Sequence, residues 1–213
     1  MKQKYPVTAN ILSALTLTLP KESPYRTLYN LLFFGLPRVG NILPMTTSRF
    51  SILKHLTWDK IMHRESGVII TLQVTKTIQN FERLLRIPIA ASDNRKQFCV
   101  KRGLETLKKL PDYPTGNKDP VFCVFEGGIW KPLCKKRFST FFKSHLRYLG
   151  LDCSLITPSS FRKGGLSHML LKVGNMELLR LQGDWLSDAY KRYIVIPAES
   201  RFSVTEKALE GMP

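Results

Sequence analysis

The sequence predicts a mainly helical α+β domain with a small three-stranded antiparallel sheet at one edge. Three observations predict it. Apolar residues recur at helical spacing through most of the 213 residues. One central stretch switches to strand alternation, with Val68, Ile70, Leu72 and Val74 on one side and Ile69, Thr71, Gln73 and Thr75 on the other. No internal repeat, low-complexity segment or interdomain linker divides the chain, so residues 1–213 read as one domain with one sizeable core.

The elements follow in order. Thr8 caps a helix reaching Leu17, with Ile11, Leu12 and Leu15 at helical spacing. Ser23-Pro24 opens a second helix, proline fitting its first turn. Its apolar residues cover more than one face, which marks a core helix, and Gly35 and Pro37 interrupt it. Arg38 to Leu43 is a short helical piece ended by Pro44. Thr57 to Met62, Val68 to Thr75 and the alternating Leu85, Ile87 and Ile89 give the three strands, with Lys76 to Asn80 as the turn between the last two. Arg95 to Leu110 reads as one helix, Pro111 to Pro120 as a loop, and Val121 to Phe125 as an apolar run packed under the next helix. Lys135 to Leu149 is amphipathic, with Phe138, Phe141, Phe142 and Leu146 opposite a basic face. Thr157 caps the next helix, Pro158 forms its first turn and Gly174 stops it. Ser187 caps a last helical stretch that ends on a tyrosine.

Charge narrows the partner. Thirty-three Lys and Arg face sixteen Asp and Glu, a net +17. The basic residues are spread along the chain, not gathered in a tail or an amphipathic stripe, which favours a folded nucleic-acid surface over a lipid one. No apolar run of about 18 residues is present, so no membrane span is expected, and nothing at the N-terminus has the pattern of a signal peptide. Cys99, Cys123, Cys134 and Cys153 form no CxxC pair and no zinc spacing with His55, His63, His145 or His168. They read as reduced thiols in an intracellular protein, with no metal or small-molecule cofactor.

Chemistry concentrates in four separated motifs. Gly35-Leu36-Pro37-Arg38 places an arginine before a short helix, and Thr75-Lys76-Thr77 places a lysine in a turn between strands. Ser159-Ser160-Phe161-Arg162-Lys163-Gly164-Gly165 places a second arginine at a helix start. Gly183-Asp184-Trp185-Leu186-Ser187-Asp188-Ala189-Tyr190-Lys191-Arg192-Tyr193 ends nine positions after Asp184 on a tyrosine. Breaking a phosphodiester needs charge on the non-bridging oxygens stabilised, a proton for the leaving oxygen and an in-line nucleophile. Arginine forks, a lysine acid and a phenol supply these three things.

In order and spacing, the motifs resemble those of the tyrosine recombinases across nearly the whole chain, with the recombinases of eukaryotic mobile elements, the Crypton and DIRS kind, as the closest flavour. The resemblance implies a tyrosine-recombinase catalytic domain. Arg38 and Arg162 would clamp the scissile phosphate, Lys76 would protonate the leaving 5′-oxygen, and Tyr193 would form a 3′-phosphotyrosyl link. Where the family usually has histidine this chain has Ser159, and where it has histidine or tryptophan this chain has Asp184 beside Trp185. Asn41 stands in place of an acidic residue. Those substitutions imply weakened activity, because serine cannot act as a base near neutral pH.

Each residue also has a plainer reading. Lys76 is a solvated turn lysine, Arg38 a helix cap or ion-pair partner and Trp185 a packing residue, and Tyr190 competes with Tyr193 as nucleophile. Lys135, Lys136, Arg137, Lys143, Arg147 and Lys163 form the expected DNA-backbone surface. The implied partners are double-stranded DNA and further copies of the chain on that DNA, in the nucleus. The family's N-terminal core-binding domain is expected to be absent or to lie on another chain, and the 20 residues after Tyr193 leave room for a short tail helix at most. Two readings compete with the recombinase: a binding-only remnant or domesticated domain of the same fold, and a type IB topoisomerase.

Overall fold

The arrangement of helices follows from caps and apolar runs. The computed structural model describes residues 4–75, 78, 82–185 and 187–195. Helix α1 (Ala9–Leu17) starts where the Thr8 hydroxyl accepts from Ile11 N–H at 3.3 Å. Helix α2 (Pro24–Phe34) carries proline in its first turn and ends at Gly35. Every residue from Thr27 to Phe33 is buried, which makes α2 the central helix. It packs against α1, α4 (Val100–Lys108) and α6 (Ser160–Val173), while α3 (Val39–Ile42) follows the Gly35–Arg38 turn.

The three-stranded sheet is antiparallel in the order β1 (Ile61–Arg64), β2 (Gly67–Leu72), β3 (Leu85–Ala90). Ile61, Ile70 and Ile87 lie in register across it. Leu85, Ile87 and Ile89 face inward against α4, and Arg86, Pro88 and Ala90 face out. Pro88 is tolerated because β3 is an edge strand.

The main core is aromatic around Tyr29, which contacts Phe138, Phe142 and Phe161. Phe138, Phe142 and Leu146 come from one face of α5 (Lys135–Tyr148). A second apolar cluster joins Leu36, Leu166, Leu179, Trp185 and Tyr190. It seats α7 (Met176–Gln182), whose first turn is capped by Asn175, and the 3-10 segment Asp188–Tyr193 against α6.

Two adjacent glycines let α6 sit this deep. A Cβ on Gly164 would lie 1.7 Å from the Val7 carbonyl oxygen, and one on Gly165 would lie 2.0 Å from that of Phe33. The N-terminal segment and α2 therefore pass against the α6 backbone directly. Val7 N–H also donates to the Ser160 carbonyl at 3.0 Å.

The structure departs from the sequence reading at several elements. Trp58–Lys60 is a 3-10 turn, not strand, and β1 begins only at Ile61. There the Thr57 hydroxyl bonds the Asp59 carboxylate, and the Lys60 ammonium donates to the carbonyls of Ile52, Leu53 and His55, curling the chain. β2 ends at Leu72, before Thr75. The Arg95–Leu110 stretch divides into a 3-10 turn (Lys96–Phe98) and α4, with Cys99 extended between them. The buried Asn30 amide takes the Gln97 carbonyl at 3.0 Å at that break. Within Val121–Phe125, the last three residues belong to a second sheet, the hairpin β4 (Cys123–Glu126) and β5 (Ile129–Pro132). α6 starts at Ser160 with Ser159 as its cap position, later than Thr157. Gly174 ends it at φ 69°, as expected. The turn residues Lys76, Thr77, Gln79 and Asn80 and the tail after Val195 lie outside the described residues.

Candidate active site and nucleic-acid interface

Arg162 is fixed from three sides. It follows the N-terminal end of α6 and is 6% exposed. Nη1 donates to the Leu36 carbonyl at 2.5 Å, and Nη2 donates to the Gly183 carbonyl. The guanidinium lies over the Trp185 ring, 4.0 Å from its centroid, and 5.7 Å from that of Tyr193. Both carbonyls come from unusual backbone. Leu36 (φ 55°) and Asp184 (φ 55°), the residue after Gly183, are left-handed without being glycine. Such residues cost about 1–3 kcal/mol each and cluster where a site over-determines them. Here they aim two acceptors at one arginine.

Burial first, and then the charge of Arg38, lowers Arg162 to about 10, against the raising influence of Tyr193 and Asp184. It remains a cation at neutral pH. Its Nε is buried and has no hydrogen-bond partner among the described residues, and the Trp185 indole Nε1 beside it is in the same state.

Arg38, Arg162 and Tyr193 line one cleft of about 500 Å³, together with Asn41, Lys135, Ser139 and Ser159. Three elements frame it. Arg38 occupies the cap position of α3, Lys135 opens α5 and Ser159 caps α6. Lys135 N–H donates to the Pro44 carbonyl at 2.7 Å, which ties the start of α5 to the end of the Arg38 segment. The N-terminal ends of α5 and α6, each a 14-residue helix, add their dipoles to three cationic side chains. Among the described residues no carboxylate lines the cleft. A larger groove of about 1010 Å³ between α1, β3 and α6 is mostly apolar and gathers none of the motif residues.

The two tyrosines of the last motif are packed differently. Six residues of 3-10 helix bring Tyr190 and Tyr193, three apart, to the same side, where both meet Trp185. Tyr190 is 6% exposed within the second cluster, and Tyr193 faces the cleft. The Ser167 hydroxyl donates to the Tyr193 carbonyl at 3.4 Å and accepts from Val195 N–H at 2.8 Å, which pins this segment to α6.

The remaining predicted residues fall differently. The Ser159 hydroxyl pairs with that of Thr157 at 2.9 Å at the cleft edge. Asp184 does not line the cleft; it forms an ion pair with Arg83 and accepts from the Thr75 hydroxyl at 3.4 Å. Trp185 packs in the second cluster under Arg162. Lys76 lies outside the described residues. On α5, Lys136, Thr140, Lys143 and Arg147 form an exposed stripe, and its three cations make no ion pair among the described residues. Arg137, in contrast, pairs with Glu126 at 2.6 Å, and Lys163 donates to the Lys4 carbonyl at 2.8 Å. Those two are occupied within the protein. The roles of Leu36, Arg83, Thr75 and Gly183 are not legible in the sequence; the first and last act through carbonyls, which no side-chain pattern reports.

This set of helices with a small antiparallel sheet at one side has the fold of the tyrosine-recombinase catalytic domain, as comparison with solved structures shows. No family model and no curated protein matches the chain. Among solved structures, it superposes on the XerA recombinase with a TM-score of 0.65 at 16% identity, covering 99% of this chain and 65% of that one. It superposes on the XerH site-specific recombinase in a post-cleavage complex with a palindromic difH substrate with a TM-score of 0.62 at 10% identity, over 97% of this chain and 53% of the other. For a lambda integrase dimer bound to a COC′ core site the TM-score is 0.63 at 15% identity, over 91% and 48%. The chain thus spans between 48% and 65% of the length of these proteins.

Proposed function

We propose that this chain is a DNA strand-exchange domain that cuts and rejoins duplex DNA through a 3′-phosphotyrosyl intermediate at Tyr193. One observation carries the reading: Arg38, Arg162 and Tyr193, far apart in sequence, line one cleft with Lys135, and no carboxylate among the described residues lines it. A backbone phosphate in that cleft would meet the guanidinium groups of Arg38 and Arg162. The phenol oxygen of Tyr193 would bond to phosphorus and give up its proton to water. The bond to the 5′-oxygen would break, and Lys76 would protonate that oxygen. The covalent link conserves the bond for re-ligation. The exposed α5 stripe of Lys136, Lys143 and Arg147 would follow the DNA backbone away from the cleft.

The wider setting belongs to the same proposal. The DNA-bound state of XerH and the DNA-bound dimer of lambda integrase support a duplex partner and self-association for this chain. We read residues 1–213 as the catalytic unit of an enzyme of the eukaryotic mobile-element kind, acting in the nucleus.

The test uses a duplex with a nick just beyond the scissile bond, so that the short leaving strand diffuses away. The unaltered protein is expected to form a covalent adduct that resists denaturing gel conditions, and Tyr193→Phe is expected to form none. Binding without any adduct would instead support a DNA-binding remnant of the same fold. Relaxation of supercoils without sequence preference would support a topoisomerase.

A further inference from the structure

Asp184 sits where the resemblance leads to a nitrogen donor, yet it is a carboxylate turned away from the cleft. Its side chain is 4% exposed. Oδ1 accepts from Arg83 Nη2, and Oδ2 accepts from the Thr75 hydroxyl at 3.4 Å. Thr75 and Arg83 are the two shoulders of the β2–β3 connection. Thr75 N–H also donates to the Ile78 carbonyl at 2.9 Å, and Ile78 is fully buried. The chain on both sides of Lys76 and Thr77 is therefore fastened at described atoms. On its other flank, Asp184 follows Gly183, whose carbonyl holds Arg162, and precedes Trp185, against which the guanidinium lies.

A carboxylate facing a phosphate would repel it. This one accepts from Arg83 on one oxygen and from Thr75 on the other, which ties both shoulders of the connection to the Gly183–Trp185 turn. We propose that Asp184 is a positioning residue that locks the β2–β3 connection to the turn anchoring Arg162, so that the proton donor's loop and the phosphate clamp keep one geometry. The inference rests on the strand-exchange reading, in which Lys76, next to Thr75, gives its proton to the 5′-oxygen as the bond from that oxygen to phosphorus breaks. Asp184 neither gains nor loses a proton in the step.

The experiment uses the full chain and two nicked duplexes, one ordinary and one with sulfur replacing the bridging 5′-oxygen. A thiol ionises near pH 8.5 and leaves without a donated proton. Asp184→Asn keeps the shape of the side chain and removes its charge, and Arg83→Ala removes the cation from the partly exposed side. Both are expected to slow adduct formation on the ordinary duplex by about a hundredfold, the usual cost of displacing a reacting group by an ångström. Most of that loss should vanish on the sulfur duplex, and Arg83→Lys should recover part of it on the ordinary one. Thr75→Val, which removes only a hydroxyl, should show the same pattern more weakly and stands in if Asp184→Asn does not fold. Unchanged rates, or equal losses on both duplexes, would overturn the positioning role. No adduct from the unaltered protein on either duplex would overturn the strand-exchange reading itself.

Discussion

Arg162 shows what a single residue needs before it can serve a phosphate. An arginine chain is flexible, and ordering it costs up to about 2 kcal/mol of side-chain entropy. Here that cost is met inside the protein, by the Leu36 and Gly183 carbonyls and the Trp185 face, before any ligand arrives. Its presence at a helix start was legible from Ser160-Phe161-Arg162 in the sequence. Its holders were not, because two left-handed residues decide where those carbonyls point and neither is a glycine. The tyrosines illustrate the same limit. Tyr190 and Tyr193 differ little as letters, and only their packing separates them: Tyr190 is 6% exposed within the apolar cluster, whereas Tyr193 lies at its edge and lines the cleft. Tyr190→Phe is therefore expected to form the covalent adduct at close to the unaltered rate. An adduct lost in Tyr190→Phe but kept in Tyr193→Phe would reassign the nucleophile.

Among the elements, those with strong periodicity and clear caps were readable: α1 from Thr8, α2 from Ser23-Pro24, α5 from its phenylalanines, and the sheet from alternation in β2 and β3. The β4–β5 hairpin escaped notice although its signal was present. Gly127 (φ 61°) and Gly128 (φ 80°) form a two-residue connection with both residues left-handed, the turn that glycine pairs favour between strands. By hydrophobicity alone Val121–Phe125 is ambiguous, because a short apolar run fits strand and buried helix equally. Long-range ties set the rest, as where Asn30 on α2 takes the Gln97 carbonyl at the break before α4. α6 carries the most consequential element-level constraint. Alanine in a helix is intrinsically favoured over glycine by about 1 kcal/mol. At Gly165, however, a Cβ would sit 2.0 Å from the Phe33 carbonyl oxygen, and overpacking of this kind typically costs about 1–3 kcal/mol. Sterics should win. Gly165→Ala is expected to lower the melting temperature by on the order of 5 °C and to weaken adduct formation, because Arg162 rides on the same helix as it is pushed from α2. A variant that melts higher than the unaltered chain would show that α6 does not lie this close to α2.

For the molecule as a whole, the excess of positive charge that suits a polyanion also strains the folded state. Net +17 repels itself in a compact volume, and every proton added makes the repulsion worse. The histidines decide where that begins. Burial lowers the pKa of all four in the fold: His55, with added lowering by Lys60 and Lys54 against a raising backbone hydrogen bond; His63, with Lys108 and Lys101 lowering it against Glu105; His145; and His168, with Lys172. His145 is the most constrained, its ring nitrogens 2.8 Å from the Thr18 hydroxyl and 3.2 Å from that of Tyr29. A base whose folded pKa lies below its unfolded value binds fewer protons in the fold. Stability contributed by the neutral imidazoles is therefore full above about pH 6.5, the unfolded value, and is lost progressively as pH falls from there through the lowered folded values. The melting temperature is expected to be flat from pH 8 to 7 and to drop steadily between about pH 6.5 and 5. Salt separates the two causes. Repulsion between exposed charges is screened within about 10 Å at 0.1 M, whereas buried imidazoles are shielded little. Added salt at pH 5.5 should thus restore part of the lost melting temperature and leave a remainder that shrinks in His145→Gln. A melting temperature that stays level down to pH 5 would contradict the burial of the His55 and His145 rings, and full recovery in salt would assign the acid loss to net charge alone.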